Sequence, residues 1–201
     1  FSHKILRVYF ISMNIGKFFK NTPLEFKNHK FTNLSFNSKI CKYGDIFFSI
    51  KGNKKNGNRF IAEAIKKGAR TIVSDLKFKG IKDDILYIKT KNTRKLLSEV
   101  SSKFYKKKPK SLIAVTGTNG KSSIVNFYFQ ILNMNNIKAA SIGTLGINYP
   151  FGNKKIINTT LDPISLNKTL EELNKKNINN VILEASSHGL KQNRLDGLKF
   201  D

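Results

Sequence analysis

Thr116-Gly117-Thr118-Asn119-Gly120-Lys121-Ser122-Ser123 places two glycines, a lysine and two serine hydroxyls directly after an apolar run, Leu112 to Val115. These residue types can hold a phosphate chain. Glycines let backbone N–H groups converge on phosphate oxygens, and a following helix adds favourable partial charge at its N-terminus. In that arrangement Gly117, Thr118, Asn119, Gly120, Lys121, Ser122 and Ser123 surround a nucleoside triphosphate. Lys121 reaches its β- and γ-phosphates, and the Ser122 hydroxyl ligates Mg2+. The strict eight-residue pattern fails, because its first glycine would fall at Val115. The shorter Gly-x-x-Gly-Lys-Ser core carries the inference, with an ordinary strand-to-helix turn as the plainer alternative.

A second group follows at Val181-Ile182-Leu183-Glu184-Ala185-Ser186-Ser187-His188-Gly189-Leu190. Glu184 ends an apolar strand, and in open parallel sheets ligands sit beyond the strands' carboxyl ends. A carboxylate there can be the second protein group on the Mg2+ held by Ser122. Ser186, Ser187 and His188 lack a nucleophile-elbow pattern, and adjacent residues rarely face one another, so binding roles fit better than a hydrolase pair. His188 reads equally well as a structural, hydrogen-bonded histidine. Asn158, Thr159 and Thr160 offer hydrogen-bonding side chains before a helix, although Asp162-Pro163 also makes this a plain N-capping segment. Gln192 and Arg194 can bind an anionic group; taken alone, Arg194 reads as a surface residue.

Positioning these residues requires alternating strands and helices. Ser111–Thr116, Ala139–Ile142 and Val181–Leu183 read as strands, with helices over Lys121–Asn133 and around Ile164, Leu166, Leu170 and Leu173. Before them, the apolar run within Asp45–Ile50 ends in a polar Gly/Asn loop. Phe60, Ile61, Ala64 and Ile65 repeat at helical spacing ahead of Gly68, a glycine placed to end a helix. Ala69–Ser74 and Ile85–Ile88 are strand-like, and Asn92–Tyr105 is an amphipathic helix with Leu96, Leu97, Val100 and Phe104 on one face. The expected fold class is α/β with mostly parallel sheets. Lys106-Lys107-Lys108-Pro109-Lys110 reads as a solvated linker, or else a phosphate-binding patch, between a domain at 13–106 and one at 111–201.

Composition narrows the class. The 201 residues are 39% hydrophobic, which excludes a disordered polycation, and no apolar stretch is long enough to span a bilayer. The single Cys41 excludes an intramolecular disulfide framework. The net charge of +24 invites a nucleic-acid reading. Yet 32 Lys against 5 Arg, with 23 Asn and 23 Ile, match residues with A/T-rich codons, so the charge reads as compositional background. Residues 1–12 read as an upstream extension, with a start at Met13.

Taken together, Thr116–Ser122, Asn158–Thr160 and Glu184–Leu190 with Gln192 and Arg194 resemble the Mur ligase family over about Met13 to Asp201. Within it they look most like the MurE-type branch, which adds the third residue of the peptidoglycan stem. The resemblance implies a small α/β N-terminal domain for the UDP-substrate, then the first part of a central P-loop-type ATPase domain, cut partway at Asp201. It implies a cytoplasmic bacterial monomer that uses ATP and Mg2+ and has neither a membrane nor a specific nucleic-acid partner. Its reaction would join a diamino acid, diaminopimelate or lysine, to UDP-N-acetylmuramoyl-dipeptide through an acyl phosphate. Lys121 and Glu184 would be its catalytic groups.

By the same resemblance Phe36, Ser38 and the loop Asn53, Lys54 and Lys55 would contact the uridine nucleotide. Asn158, Thr159, Thr160, Ser186, Gln192 and Arg194 would bind the muramoyl-dipeptide portion. Four positions depart from the family pattern. Asn53-Lys54 stands where a His-Gln pair is familiar, Leu161 where a proline is usual, and Ser122 where threonine is commoner. The family's later histidine motif, carbamylated lysine and C-terminal domain fall beyond Asp201, so the chain by itself is expected to lack ligase activity. Substrate-dependent phosphate release from it would overturn that expectation. Folylpolyglutamate synthetase, which shares the phosphate loop, is the rival enzyme, told apart by folate binding. A basic nucleic-acid-binding module is the rival of another class, and its mark would be a steep salt dependence.

Overall fold

Buried apolar runs become parallel strands in both halves of the chain. The computed structural model describes residues 12–19, 23–52 and 56–201, which leaves Asn53, Lys54 and Lys55 outside the described residues. Internal packing divides the chain into two units, Phe1–Thr93 and Arg94–Asp201.

In the first unit β1 (Met13–Asn14) pairs antiparallel with β2 (Lys30–Phe31). A five-stranded sheet follows, built from β3 (Leu34–Ser35), β4 (Ile46–Phe48), β5 (Thr71–Ser74), β6 (Gly80–Lys82) and β7 (Ile85–Lys89) in the order β3-β4-β5-β7-β6. Its first four members in that order run parallel, and β6 closes the edge as an antiparallel hairpin with β7. All three residues of β4 are buried, as a strand covered on both faces requires. Helix α1 (Ile61–Lys66) ends at Gly68, whose φ of +114° and whose absent Cβ, 2.6 Å from the Tyr43 backbone, explain the glycine.

The second unit begins within α2 (Thr93–Phe104). The packing division thus falls ahead of the lysine run at 106–110. The reason lies on the helix surface: Ser98 donates to the Asn193 carbonyl, and Ser102 to that of Gly197 at 2.8 Å. Besides Leu97 and Val100, α2 buries Ser98 and Ser101 completely, so its inward face is narrower and more polar than its apolar pattern predicts.

After it come β8 (Ser111–Val115), α3 (Lys121–Met134), β9 (Ala139–Gly143), β10 (Gly146–Tyr149), β11 (Gly152–Lys154), α4 (Pro163–Lys175), β12 (Asn180–Glu184) and α5 (Ser187–Lys191). The sheet order is β11-β10-β9-β12-β8, with β9, β12 and β8 parallel and β10–β11 an antiparallel hairpin. Ala140, Ile142, Leu166, Leu170, Val181 and Leu183 form the core between sheet and helices. Each expected strand and helix of this half is present, while the β10–β11 hairpin is an addition. Both sheets are largely parallel, as the α/β expectation requires. Helix α3 leaves Ile124, Phe127, Ile131 and Met134 between 54% and 81% exposed along one side. No helix among the described residues is long and apolar enough to cross a membrane.

Candidate active site

Parallel pairing sets the site. Glu184, last in β12, is in register with Val115, last in β8, and the Ala185 N–H donates to the Val115 carbonyl at 2.8 Å. The loop that starts at Thr116 and the Glu184 side chain therefore leave neighbouring strands at the same end. Loop residues Thr116 to Gly120 are exposed. Gly120 opens α3 with a φ of +78°, and no side chain caps this helix. Its first N–H groups therefore face the loop without a side-chain acceptor. The Lys121 ammonium curls back over the loop and donates to the carbonyls of Gly117 (2.7 Å) and Thr118 (3.1 Å). Ser122 is half-buried in the first turn, and Ser123 is exposed.

Glu184 is 2% exposed, and its carboxylate is held by one residue. The Thr144 N–H donates to Oε1 at 2.7 Å, and the Thr144 hydroxyl donates to Oε2 at 3.1 Å. Gly143 makes room for it, since a Cβ there would lie 2.2 Å from Oε1. Sequence reasoning missed both residues. The signal was available, because Gly143-Thr144 leaves β9 at the carboxyl end that carries the other groups.

The loop before α4 is tied to the same strand end. Thr160 is buried, and its hydroxyl donates to the Glu184 carbonyl at 2.9 Å while accepting from the Ser186 N–H at 3.0 Å. The Ser186 hydroxyl lies 3.0 Å from Thr160 Oγ1 and caps α5 by accepting from the Gly189 N–H at 3.1 Å. Thr160 and Ser186 thus spend their hydroxyls on loop structure. Thr159 is half-buried and Asn158 exposed, while Asp162 caps α4 by accepting from the Ser165 N–H. Leu161 packs against the core of the unit.

Arg194 donates through Nε and Nη2 to Gln192 Oε1 at 3.1 and 2.8 Å, and through Nη1 to the Thr160 carbonyl. The Gln192 amide then faces His188 Nε2 at 2.7 Å, which puts the imidazole proton on Nδ1. His188 is therefore engaged with Gln192, not with Ser186. Burial, and then the charge of Arg194, push the Arg94 guanidinium below its ordinary range.

In the first unit Phe36 is 41% exposed, whereas Ser38 is buried and donates to Glu63 Oε2 at 2.5 Å. The uridine contacts expected at Asn53, Lys54 and Lys55 lie outside the described residues.

The strand–loop–helix geometry, with a buried carboxylate on the adjacent strand, is that of an open α/β unit, whose ligands generally sit at the strands' carboxyl ends. A family model described as Mur ligase middle domain matches residues 115–201, and one described as Mur ligase family, catalytic domain matches 30–105. The chain belongs to the Mur ligase family. Over 181 residues it is 45% identical to UDP-N-acetylmuramoyl-L-alanyl-D-glutamate–2,6-diaminopimelate ligase of Rickettsia montanensis, covering 88% of this chain and 37% of that relative. The ligase of the same name from Bradyrhizobium diazoefficiens is 38% identical over 84% of this chain and 34% of its own length. A solved structure of a ligase of that name superposes with a TM-score of 0.80 at 25% identity, covering 95% of this chain and 39% of that one. The chain spans little more than a third of the length of these relatives.

Proposed function

We propose that this chain belongs to an ATP-dependent amide ligase that joins 2,6-diaminopimelate to UDP-N-acetylmuramoyl-L-alanyl-D-glutamate in peptidoglycan synthesis. The observation that carries the reading is the register of Glu184 with Val115, which sets a buried carboxylate beside the phosphate loop. The relatives' names support the choice of substrates, and of diaminopimelate over lysine.

The residues fit a magnesium ion. The partners of the Glu184 carboxylate among the described residues are two neutral donors of Thr144, so its oxygens keep lone pairs for a cation. No group of three or more His, Cys, Asp or Glu suited to a metal occurs among the described residues. That agrees with Mg2+, which takes one or two protein oxygens and completes its shell with phosphate and water. Ser122 and Glu184 would hold it, and when bound it neutralises triphosphate charge.

The chain's own groups position the reactants. Loop N–H groups hold the β- and γ-phosphates, and Lys121 exchanges its carbonyl partners for the transferring phosphoryl group. Arg194, Gln192 and Thr159 bind the muramoyl-dipeptide, while Asn158, Thr160 and Ser186 shape the loops that present them. Phe36, with Asn53, Lys54 and Lys55, serves the uridine nucleotide, and Ser38, buried and bonded to Glu63, shapes the segment that presents Phe36. The D-glutamyl carboxylate attacks the γ-phosphorus and ADP departs. The diaminopimelate amine then attacks the acyl carbon, releasing phosphate and a proton. Such catalysis depends on orientation and charge, with no protein nucleophile.

In the full-length ligase, Glu184→Gln is expected to lower ATP-dependent phosphate release by about 100-fold or more. Binding of the UDP-substrate without nucleotide is left intact. Unchanged turnover removes Glu184 from the metal site.

A further inference from the structure

Arg194 owes its place to a single peptide plane. Helix α5 ends in a Schellman motif: the Asn193 N–H donates to the Leu190 carbonyl at 2.9 Å, and the Arg194 N–H to that of Gly189 at 3.0 Å. Asn193 takes the left-handed position this motif needs, with a φ of +56°. The Asn193 C=O and the Arg194 N–H belong to one rigid, trans peptide group, so they point opposite ways. The N–H faces α5, and the carbonyl faces α2, where it accepts from the Ser98 hydroxyl. Gly189 holds one end of the plane and Ser98 the other.

The bond from α2 is not a default of helix chemistry. A serine within a helix ordinarily bonds back to the carbonyl four residues earlier. Ser98 has that acceptor in Arg94, at 3.2 Å, yet lies closer to the Asn193 carbonyl, 95 residues away in the chain. Ser98 is also completely buried, so no water competes for its proton. One turn further on, the exposed end of the same clasp joins Ser102 to the Gly197 carbonyl at 2.8 Å. Gly197 permits this approach, since a Cβ there would lie 3.0 Å from Glu99 Cα. A peptide released at its Asn193 end tilts about the bond to Gly189. The tilt moves the Cα from which the Arg194 guanidinium reaches Gln192 and Thr160.

We infer that Ser98 is a positioning residue for Arg194, and that α2 through it sets the affinity of the site for the carboxylate-bearing muramoyl-dipeptide. This inference rests on the proposed function, which places Arg194 at that ligand.

The test is a double-mutant cycle on the full-length ligase. Titration calorimetry gives the affinity for UDP-N-acetylmuramoyl-L-alanyl-D-glutamate and, separately, for Mg·ADP. Ser98→Ala is expected to weaken the first by about 5-fold, the worth of one net hydrogen bond, and to leave the second unchanged. Arg194→Gln sets the reference loss. Adding Ser98→Ala to it costs nothing more, because a residue that acts through Arg194 then has nothing to position. Ser102→Ala covers a Ser98→Ala protein that fails to fold: it loosens the same loop from its exposed end, with about 2-fold lost, and is likewise silent beside Arg194→Gln. Losses that add in full overturn the inference, since the serines then act on the fold at large. Mg·ADP affinity that falls in step, or UDP-substrate affinity unmoved by Ser98→Ala, overturns it too. Arg194→Gln without a loss does the same and leaves the ligase reading standing. A wild type that fails to bind the UDP-substrate overturns the ligase reading itself.

Discussion

Each unit carries a five-stranded, largely parallel sheet, yet the two spend their polar groups differently. In the first, the groups bond to one another: Ser38 to Glu63 at 2.5 Å, Ser49 to Asn58 at 2.5 Å, and Asn58 to Asp75 at 2.8 Å. In the second, the loop from Thr116 to Gly120 is exposed, α3 starts without a side-chain cap, and Lys121 rests on two backbone carbonyls of its own loop. The side-chain pairs of the first unit build structure. Groups resting on weak, replaceable partners are ready for a ligand.

A pair of glycine substitutions sharpens this contrast most. Gly143→Ala drives a Cβ to 2.2 Å from Glu184 Oε1, so the carboxylate must leave its place. Turnover of the full-length ligase is expected to fall by about 100-fold, as in Glu184→Gln. Gly57→Ala instead meets the Ile50 backbone at 2.6 Å, which cannot give way. It is expected to destabilise the first unit by about 1–3 kcal/mol in urea melts while ATP affinity holds. ATP affinity that falls with Gly57→Ala breaks the contrast. Ser38→Ala is next, with about 1 kcal/mol lost from the first unit as Glu63 loses its donor. An unchanged midpoint would show that this bond contributes nothing net.

The smallest effect is a pH dependence in the second unit. Burial pulls the Lys108 ammonium down from 10.5 to about 8, although it caps α2 by donating to the carbonyls of Ser102 and Tyr105. Between those two values the unfolded chain holds the proton that the folded chain has released, so stability rises with pH across this window. Tyr105, raised by its own burial, acts in the opposite sense above its ordinary 10. Thermal midpoints measured from pH 8 to about 9.5 are therefore expected to climb in the wild type and to flatten in Lys108→Met. Equal slopes would dismiss the buried lysine as the cause.

The strand–loop–helix run from Ser111 into α3 and the place of Glu184 at a strand end were legible because their signals are local: an apolar run, then residues of fixed type at the strand's end. The strands and helices of the second unit follow from the same runs. Thr144 was not legible, since its role depends on β9 lying beside β12, and pairing is decided by tertiary packing. Ser38 shows the same limit, because its partner Glu63 is brought near by α1. The β10–β11 hairpin was hidden by Gly146, Asn148 and Gly152, poor strand formers, and by a turn in which Phe151 adopts a φ of +70°. The attachment of α2 to the second unit rests on serine contacts 95 residues distant in the chain, beyond any local pattern.

The bare side of α3 also governs how the molecule behaves in bulk solution. Ile124, Phe127, Ile131 and Met134 recur at helical spacing and form an apolar strip on a chain of net charge +24. Mutual repulsion keeps such copies apart only as far as the field reaches, roughly 10 Å at 0.1 M salt and roughly 3 Å at 1 M. Short-range attraction between the strips takes over once that reach shrinks below the width of a side chain. This chain is therefore expected to disperse best at low ionic strength and to scatter more light as salt is added, a series that light scattering from about 0.1 to 1 M checks.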